Sequence, residues 1–497
     1  MHRIRSYART VCLPPVIRCG NAAIRRSAVN PLRRRPYSSY ISAADLQFGQ
    51  PLHETHPHLL QLGELTPGIS ALEYAQRRAK LAAILPKGAV AIIPSADVKY
   101  RSGAVFYEFH QDPDFYYLTG FNEPESLAII EKTGDGAEHN FHLYVRPKDP
   151  RSELWEGARS GIEAAQDVFN ADESGDIDGV GKFLPAMIKS ATCVYTDLPK
   201  SIEPRTRFSK YLSGWKRNHG AVFDGALSQN ASGVSPLRPH LSKLRVFKSE
   251  AEIELMRKVG KQSGRAITEA MRQSFSGEKS LWSFLEYQFQ SNGLDGAAYV
   301  PVVAGGQNGL SIHYVRNDDV FSGDELVLVD AGGKYGNYIT DITRTWPVNG
   351  KFSAAQRDLY EVVLRTQRTC VSLCRANAEL SLDRLHRIAE ESLMDGLQQL
   401  GFNLKGNAKE TLFPHHLGHY IGLDVHDSPG YLRNAPLQPS QCVTIEPGIY
   451  VPDDERWPEA FRGIGIRIED SICVQEEHPY VLTTEAVKEV VDIEALR

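Results

Sequence analysis

Cysteine is scarce in this chain, with seven in 497 residues and no Cys-x-x-Cys pair. That excludes a disulfide scaffold, a zinc ribbon and thioredoxin-type chemistry. Long apolar runs are also lacking. The best candidate, 81–94, is broken by Pro86, Lys87 and Gly88, far short of the roughly 18 consecutive apolar residues of a membrane helix. There is no His-Glu-x-x-His and no Gly-x-Ser-x-Gly. Neither Gly305-Gly306 nor Gly332-Gly333 leads into the Lys-Ser/Thr of a phosphate loop. The net charge of −5 carries no basic excess for nucleic acid. What remains is ordinary globular composition, 42% hydrophobic and 24% charged with a mean hydropathy of −0.33, and a length that suits two or three domains.

One absence is local. Residues 1–44 hold nine arginines but no lysine and no acid, and the first acid is Asp45. Arg-rich, Ser-containing and acid-free composition predicts an organelle transit peptide, and Pro14, Pro15 and Arg18 break any secretory apolar core. Without that segment the chain has 47 basic and 61 acidic residues, a balance near −14.

Residues 45–67 read as an irregular arm. Ser70-x-x-Glu73 predicts a capping box opening a helix to about Leu85. Strand-like runs follow at 89–93, 115–119, 127–130 and 142–145, with helix signals near 164–169 and 180–190. The expectation is an α/β domain over 68–235, with the Pro-, Gly- and Ser-rich stretch 230–248 as linker. A second domain, 236–497, opens with the capping box Ser249-x-x-Glu252. Ile253, Met256, Ile267 and Met271 form a core stripe. Ser353-x-x-Gln356 starts another long helix, with Leu359, Val363 and Leu373 inward and Cys370 and Cys374 as packed thiols.

Two strand–turn–strand segments carry the chemistry. In 325–346, Asp330 and Asp341 are symmetric about a glycine-rich turn, which predicts cross-strand neighbours. In 441–474, Glu446 and Glu469 are nearly symmetric about the loop 452–462, and Arg467 shares a face with Glu469. Like charges placed opposite each other destabilise a hairpin unless a positive charge lies between them. Arg344 and Arg467 are near enough in sequence to serve as simple ion-pair partners, and a divalent metal is the other solution. Between the hairpins, four of the chain's 16 histidines fall within twelve residues: His415, His416, His419 and His426. Four carboxylates and one imidazole suit two bridged divalent ions, with Mn²⁺ the best match and Co²⁺, Fe²⁺ or Zn²⁺ open. Such a pair lowers the pKa of a shared water and polarises a carbonyl, which is machinery for hydrolysis.

Asp330…Asp341-Ile-Thr-Arg-Thr, His415-His-Leu-Gly-His419…Asp424-Val-His426-Asp, Glu446-Pro-Gly and Arg467-Ile-Glu469 resemble the aminopeptidase P and prolidase metallopeptidases. The resemblance spans about 60–490 and includes Phe115-Tyr-Tyr-Leu-Thr-Gly-Phe121 and Trp155-Glu-Gly-x-Arg159. It implies an overall α/β (α+β) chain with an N-terminal α/β domain and a pita-bread catalytic domain. It also implies metal ligation by Asp330, Asp341, His419, Glu446 and Glu469, with Asp341 and Glu469 bridging. Glu446 would shuttle the proton, His313 and His426 would contact the scissile carbonyl, and His415 and Arg467 would line the pocket for the following residue. Family members are commonly dimers or tetramers, so a homodimer or homotetramer is implied.

His56-Pro-His-Leu-Leu60, Glu64-Leu-Thr-Pro-Gly68 and Phe109-His-Gln-Asp112 look like the mitochondrial branch, which trims one residue from imported proteins after presequence removal. The implied place is the mitochondrial matrix or the inner-membrane surface, and the substrates are peptide or protein N-termini. Alternatives are a general Xaa-Pro aminopeptidase and, from another class, a metal-free binding module on the same fold. Arg35-Pro36-Tyr37-Ser38 further implies that the protein trims itself to begin at Ser38.

Overall fold

The computed structural model describes residues 47–198 and 233–497. The expected transit peptide, the proposed cut at Tyr37 and the first part of the expected linker lie outside the described residues.

The N-terminal half is built on a six-stranded sheet. From one edge its strands are Val234–Ser235, Val194–Tyr195, Val90–Pro94, Leu127–Lys132, His139–Val145 and Glu173–Asp176. The three central strands pair antiparallel, with Ile92 opposite Ile129 and Ile130 opposite Phe141. Apolar residues on both faces account for the burial of this sheet. One face packs on the helix Ala71–Ile84 and the other on Leu184 and Ile188.

Three expectations change here. The run 115–119 is a helix, Pro113–Thr119, not a strand. Asp112 accepts a hydrogen bond from the Phe115 amide, Pro113 takes the first helical position, and Gly120 (φ 64°) ends the turn. These end signals outweigh the strand preference of the aromatic run. At Ser70 only half of the expected box forms. Ser70 accepts from the Glu73 amide, but the Glu73 carboxylate accepts from Arg77 at 2.6 Å and from Ser249 at 2.7 Å instead. From Gly233 on, the stretch read as a linker adds a strand to the N-terminal sheet and then forms the helix Arg238–Arg245.

The C-terminal half has the pita-bread arrangement, in which the same device appears twice. The helices Glu250–Arg272 and Glu278–Ser291 precede the strands Val302–Gly305, Leu326–Asp330 and Thr343–Pro347. The helices Ala354–Ser372 and Leu382–Gln399 precede Cys442–Ile445, Asp470–Val474 and Pro479–Val481. Full capping boxes form at Ser249 and Ser353. Met256, Ile267, Met271, Leu359 and Val363 are buried, and Cys370 and Cys374 are fully buried free thiols. A buried polar knot joins the halves. Arg77 donates to Glu73 and to the Tyr338 hydroxyl (3.1 Å), and Tyr338 donates to Glu252 (2.7 Å).

Candidate metal centre

The first hairpin turns one residue later than the sequence symmetry predicts. Asp330 pairs with Thr343, and Asp341 precedes that strand by two residues. The same register continues through the inner strands Gly333–Tyr335 and Tyr338–Ile339 to the tip of the hairpin. Its turn is Gly336-Asn337, with φ of 56° and 65°, the left-handed pair that a tight two-residue connection requires. Gly332 has a different role: a Cβ there would lie 1.8 Å from the Thr340 carbonyl oxygen. The two aspartates still converge, because the Tyr299 hydroxyl donates to Asp330 Oδ1 at 2.6 Å and also contacts Asp341 Oδ1.

The second segment keeps its register. Ile445 faces Asp470 and Gly448 faces Arg467, which leaves Glu446 and Glu469 opposed in the break between two strand pairs. His419 is fixed beside them by backbone and side-chain bonds to Thr444, at 2.8 and 3.0 Å. Its Nδ1 donates to the Tyr420 carbonyl at 3.0 Å. That leaves Nε2 facing Asp341 Oδ2 and Glu446 Oε1, each at 3.5 Å.

Asp341, His419 and Glu469 each bring a ligand atom within 4.8 Å of the other two. Asp330 and Glu446 flank this core. Asp330 turns its other oxygen to Arg467 Nη2 at 2.6 Å, so the ion-pair alternative read from the sequence is in part realised. Arg344 instead pairs with Asp470 at 2.6 Å and donates to the backbone carbonyl of Glu469 rather than to a carboxylate of the centre.

Two features test whether a divalent cation fits. Glu469 Oε1 is buried with no hydrogen-bond partner, and its carboxylate is only 1% exposed; such an acceptor requires a positive partner. The carboxylates also repel one another in a buried space. Burial, then the charge of Asp341, pushes Asp330 up to about 6, and burial takes Glu446 up to about 7. Burial and the neighbouring carboxylates raise Glu469 well above the ordinary range. Burial opposes charge on His419, but its bond to Asp341 and the field of Glu446 win and raise it to about 9. The centre is short of positive charge, and the residues fit a divalent cation.

Around the centre lies a cavity of about 520 Å³ that His313, His415, His419, His426 and Glu446 help to line. His313 and His426 are exposed, and the His426 ring meets the His419 ring edge-on at 4.4 Å. A relay fixes His415: Arg467 Nη1 donates to the Tyr450 oxygen (2.7 Å), and the Tyr450 hydroxyl donates to His415 Nε2 (2.9 Å). Burial, then the charge of Arg467, pushes His415 down to about 3. The His416 ring packs tilted against His386, with ring centres 4.4 Å apart. Sequence reasoning missed Tyr299 and Tyr450. Tyr450 was within reach, since it lies two and four residues beyond Gly448 and Glu446 on one strand face. Tyr299 stands in a loop with no local signal.

Residues 254–476 match the model of metallopeptidase family M24, and residues 74–195 match the aminopeptidase P N-terminal domain. Intermediate cleaving peptidase 55 of Saccharomyces cerevisiae is 44% identical over 477 residues, covering 94% of this chain and 92% of the relative. The chain belongs to metallopeptidase family M24. Other M24 relatives include Xaa-Pro aminopeptidase 3 of Homo sapiens, 38% identical over 96% of this chain and 95% of the relative. Intermediate cleaving peptidase 55, mitochondrial, of Arabidopsis thaliana is 36% identical over 96% and 92%. The crystal structure of the Saccharomyces cerevisiae peptidase, lacking its N-terminal 58 residues, superposes with a TM-score of 0.80, covering 87% of this chain and 99% of that one. The M24 assignment makes the chain a divalent-metal peptidase acting on peptide or protein N-termini, and the pita-bread half is its catalytic fold.

Proposed function

We propose that this M24 enzyme is the mitochondrial aminopeptidase that removes one N-terminal residue from imported proteins after presequence cleavage. The carrying observation is similarity to intermediate cleaving peptidases along nearly the whole chain, at 44% identity over 92% of one relative, joined to the carboxylate–histidine cluster of this chain. Residues 1–44 serve as the transit peptide, 45–67 as an arm, 68–235 as the N-terminal domain and 236–497 as the catalytic domain. Self-trimming of Tyr37 leaves Ser38 as the first residue. Leu154 and Trp155, 80% and 83% exposed on the N-terminal half, support a homodimer or homotetramer.

Asp330, Asp341, His419, Glu446 and Glu469 would hold two divalent ions, Asp341 and Glu469 being the ligands they would share. The single imidazole among carboxylate oxygens favours Mn²⁺. When bound, such ions lower the pKa of water and polarise the scissile carbonyl. The chain's own residues do the rest. Glu446 accepts the proton of the attacking water on a carboxylate oxygen and returns it to the leaving amine. His313 and His426 donate to the carbonyl oxygen as negative charge develops there. His415, held neutral by burial, and Arg467 line the wall for the residue after the cut.

The deciding experiment compares Tyr-Ser-led with Xaa-Pro-led peptides, with Mn²⁺ and with chelator. Single-residue release from the Tyr-Ser peptide, lost with chelator, is expected. Turnover of Xaa-Pro peptides alone would favour the general Xaa-Pro aminopeptidase, and chelator-insensitive release would reject the metal assignment.

A further inference from the structure

The residues flanking His426 belong to a charge cluster that the reaction itself does not use. Arg245 ends the helix Arg238–Arg245 between the two halves and is 5% exposed. Its Nη1 donates to Asp114 Oδ1 at 2.6 Å, in the first turn of the 113–119 helix of the N-terminal half. Its Nη2 donates to Asp424 Oδ2 at 3.0 Å and to Asp427 Oδ1. Lys248 Nζ, equally buried, donates to Asp427 Oδ2 at 2.8 Å and to the Arg245 carbonyl at 2.6 Å.

The segment that carries His426 is closed at its base. The Asp427 amide donates to the Tyr420 carbonyl at 2.9 Å. Gly422 makes room for the ion pair, since a Cβ there would lie 2.7 Å from both Asp427 Oδ2 and Lys248 Cε. His426 has no such anchor of its own. Its ring is exposed, makes no hydrogen bond to the described residues, and meets only His419 edge-on. Its position follows from that of Asp424 and Asp427; Arg245 holds both, and Lys248 holds Asp427 as well. A buried ion cluster is weak evidence for stability, because desolvation offsets the attraction. This one brings residues 114, 245 and 424–427 to one point, which is a positional role.

The geometry points to Arg245 as a positioning residue that sets where His426 stands over the bond to be cut, and through Asp114 it makes the N-terminal half part of the catalytic geometry. This rests on the reading above that His426 contacts the scissile carbonyl. The guanidinium fork is essential, since three carboxylates are held by two nitrogens and an ammonium cannot match that spread.

The test uses the Mn²⁺-loaded full chain and the variants Arg245→Lys, Asp114→Asn and His426→Ala, singly and with each of the first two combined with His426→Ala. Arg245→Lys is expected to lower kcat on the order of 10- to 100-fold, with KM and metal content held within about two-fold. In the His426→Ala background the same change is expected to add no further loss. Losses that multiply in the double variant, or metal content that falls with kcat, would overturn the proposal. Full activity of His426→Ala alone would instead reject the reading of His426. Should Arg245→Lys fail to fold, Asp114→Asn carries the same cycle from the other side of the ion pair.

Discussion

Arg467 Nη2 lies 2.6 Å from Asp330 Oδ2, and both side chains are withdrawn from solvent. The same guanidinium donates to Thr343 Oγ1 at 3.0 Å and to the Tyr450 oxygen. One cation thus fixes a carboxylate of the first hairpin, the start of its return strand, and the tyrosine that orients His415. In the metal-free protein, removing it as Arg467→Met leaves Asp330 without its counter-charge in a buried site. A loss on the order of 3–5 kcal/mol is expected in chemical denaturation, with release of the Tyr450–His415 bond read as a changed KM. Unchanged stability would show that Asp330 finds another partner.

Asp341 and Glu469 are proposed as the ligands shared by the two ions. Asp341→Asn and Glu469→Gln preserve shape and remove charge. Hydrolysis is expected to disappear, metal content to fall, and circular dichroism to stay near that of the parent. Near-parental turnover in either variant would reject the bridging assignment.

Gly418 separates the buried Leu417 from His419, and a Cβ there would lie 1.9 Å from the Thr444 carbonyl oxygen. Gly418→Ala therefore forces apart the pairing that orients His419. Overpacking of this kind costs about 1–3 kcal/mol. The expected signature is weaker metal retention with a lowered melting temperature. An unchanged metal content would mean that Thr444 does not set the imidazole.

Chelator-stripped protein should lose stability as pH rises. Burial and repulsion hold Asp330 at about 6 and Glu446 at about 7, against roughly 3.9 and 4.3 in the unfolded chain. The bond to Asp341 takes His419 to about 9 against burial, compared with roughly 6.5 unfolded. In all three the folded state binds the proton more tightly, so stability is fullest below the unfolded values and is lost as pH passes through the folded ones. Urea midpoints are expected to fall between pH 7 and pH 9, above the range in which His415, pushed down to about 3, contributes with the opposite sign. Divalent ions must displace these protons, so their stabilising effect grows over the same range. A midpoint that rises with pH over that range in the stripped protein would contradict the raised values.

The second acid pair was legible in the sequence because its strands stay in register on both sides of the break, so that counting from Gly448–Arg467 and from Ile445–Asp470 gives the same opposition of Glu446 and Glu469. The first pair was legible only as a pair. The strands keep one register out to the Gly336-Asn337 turn, but that turn lies one residue beyond the midpoint between Asp330 and Asp341, so Asp330 faces Thr343 rather than Asp341. At 115–119 the aromatic run suggested a strand, while Asp112, Pro113 and Gly120 decided a helix. Short-range end signals outweighed composition there.

The sequence by itself determined the residue types, their order and their local spacing: nine arginines without an acid, two acid pairs, a histidine run, and capping boxes at Ser249 and Ser353. These are properties of neighbours along the chain, and local backbone physics is enough to read them. Only the tertiary structure decided that the Tyr299 hydroxyl joins Asp330 to Asp341, and that Arg467 reaches Asp330 across 137 residues. It also decided that Arg245 ties Asp114 to Asp427. Such contacts depend on how separate strands and helices pack, and a side chain's partner across a hundred residues leaves no periodicity in the sequence around it.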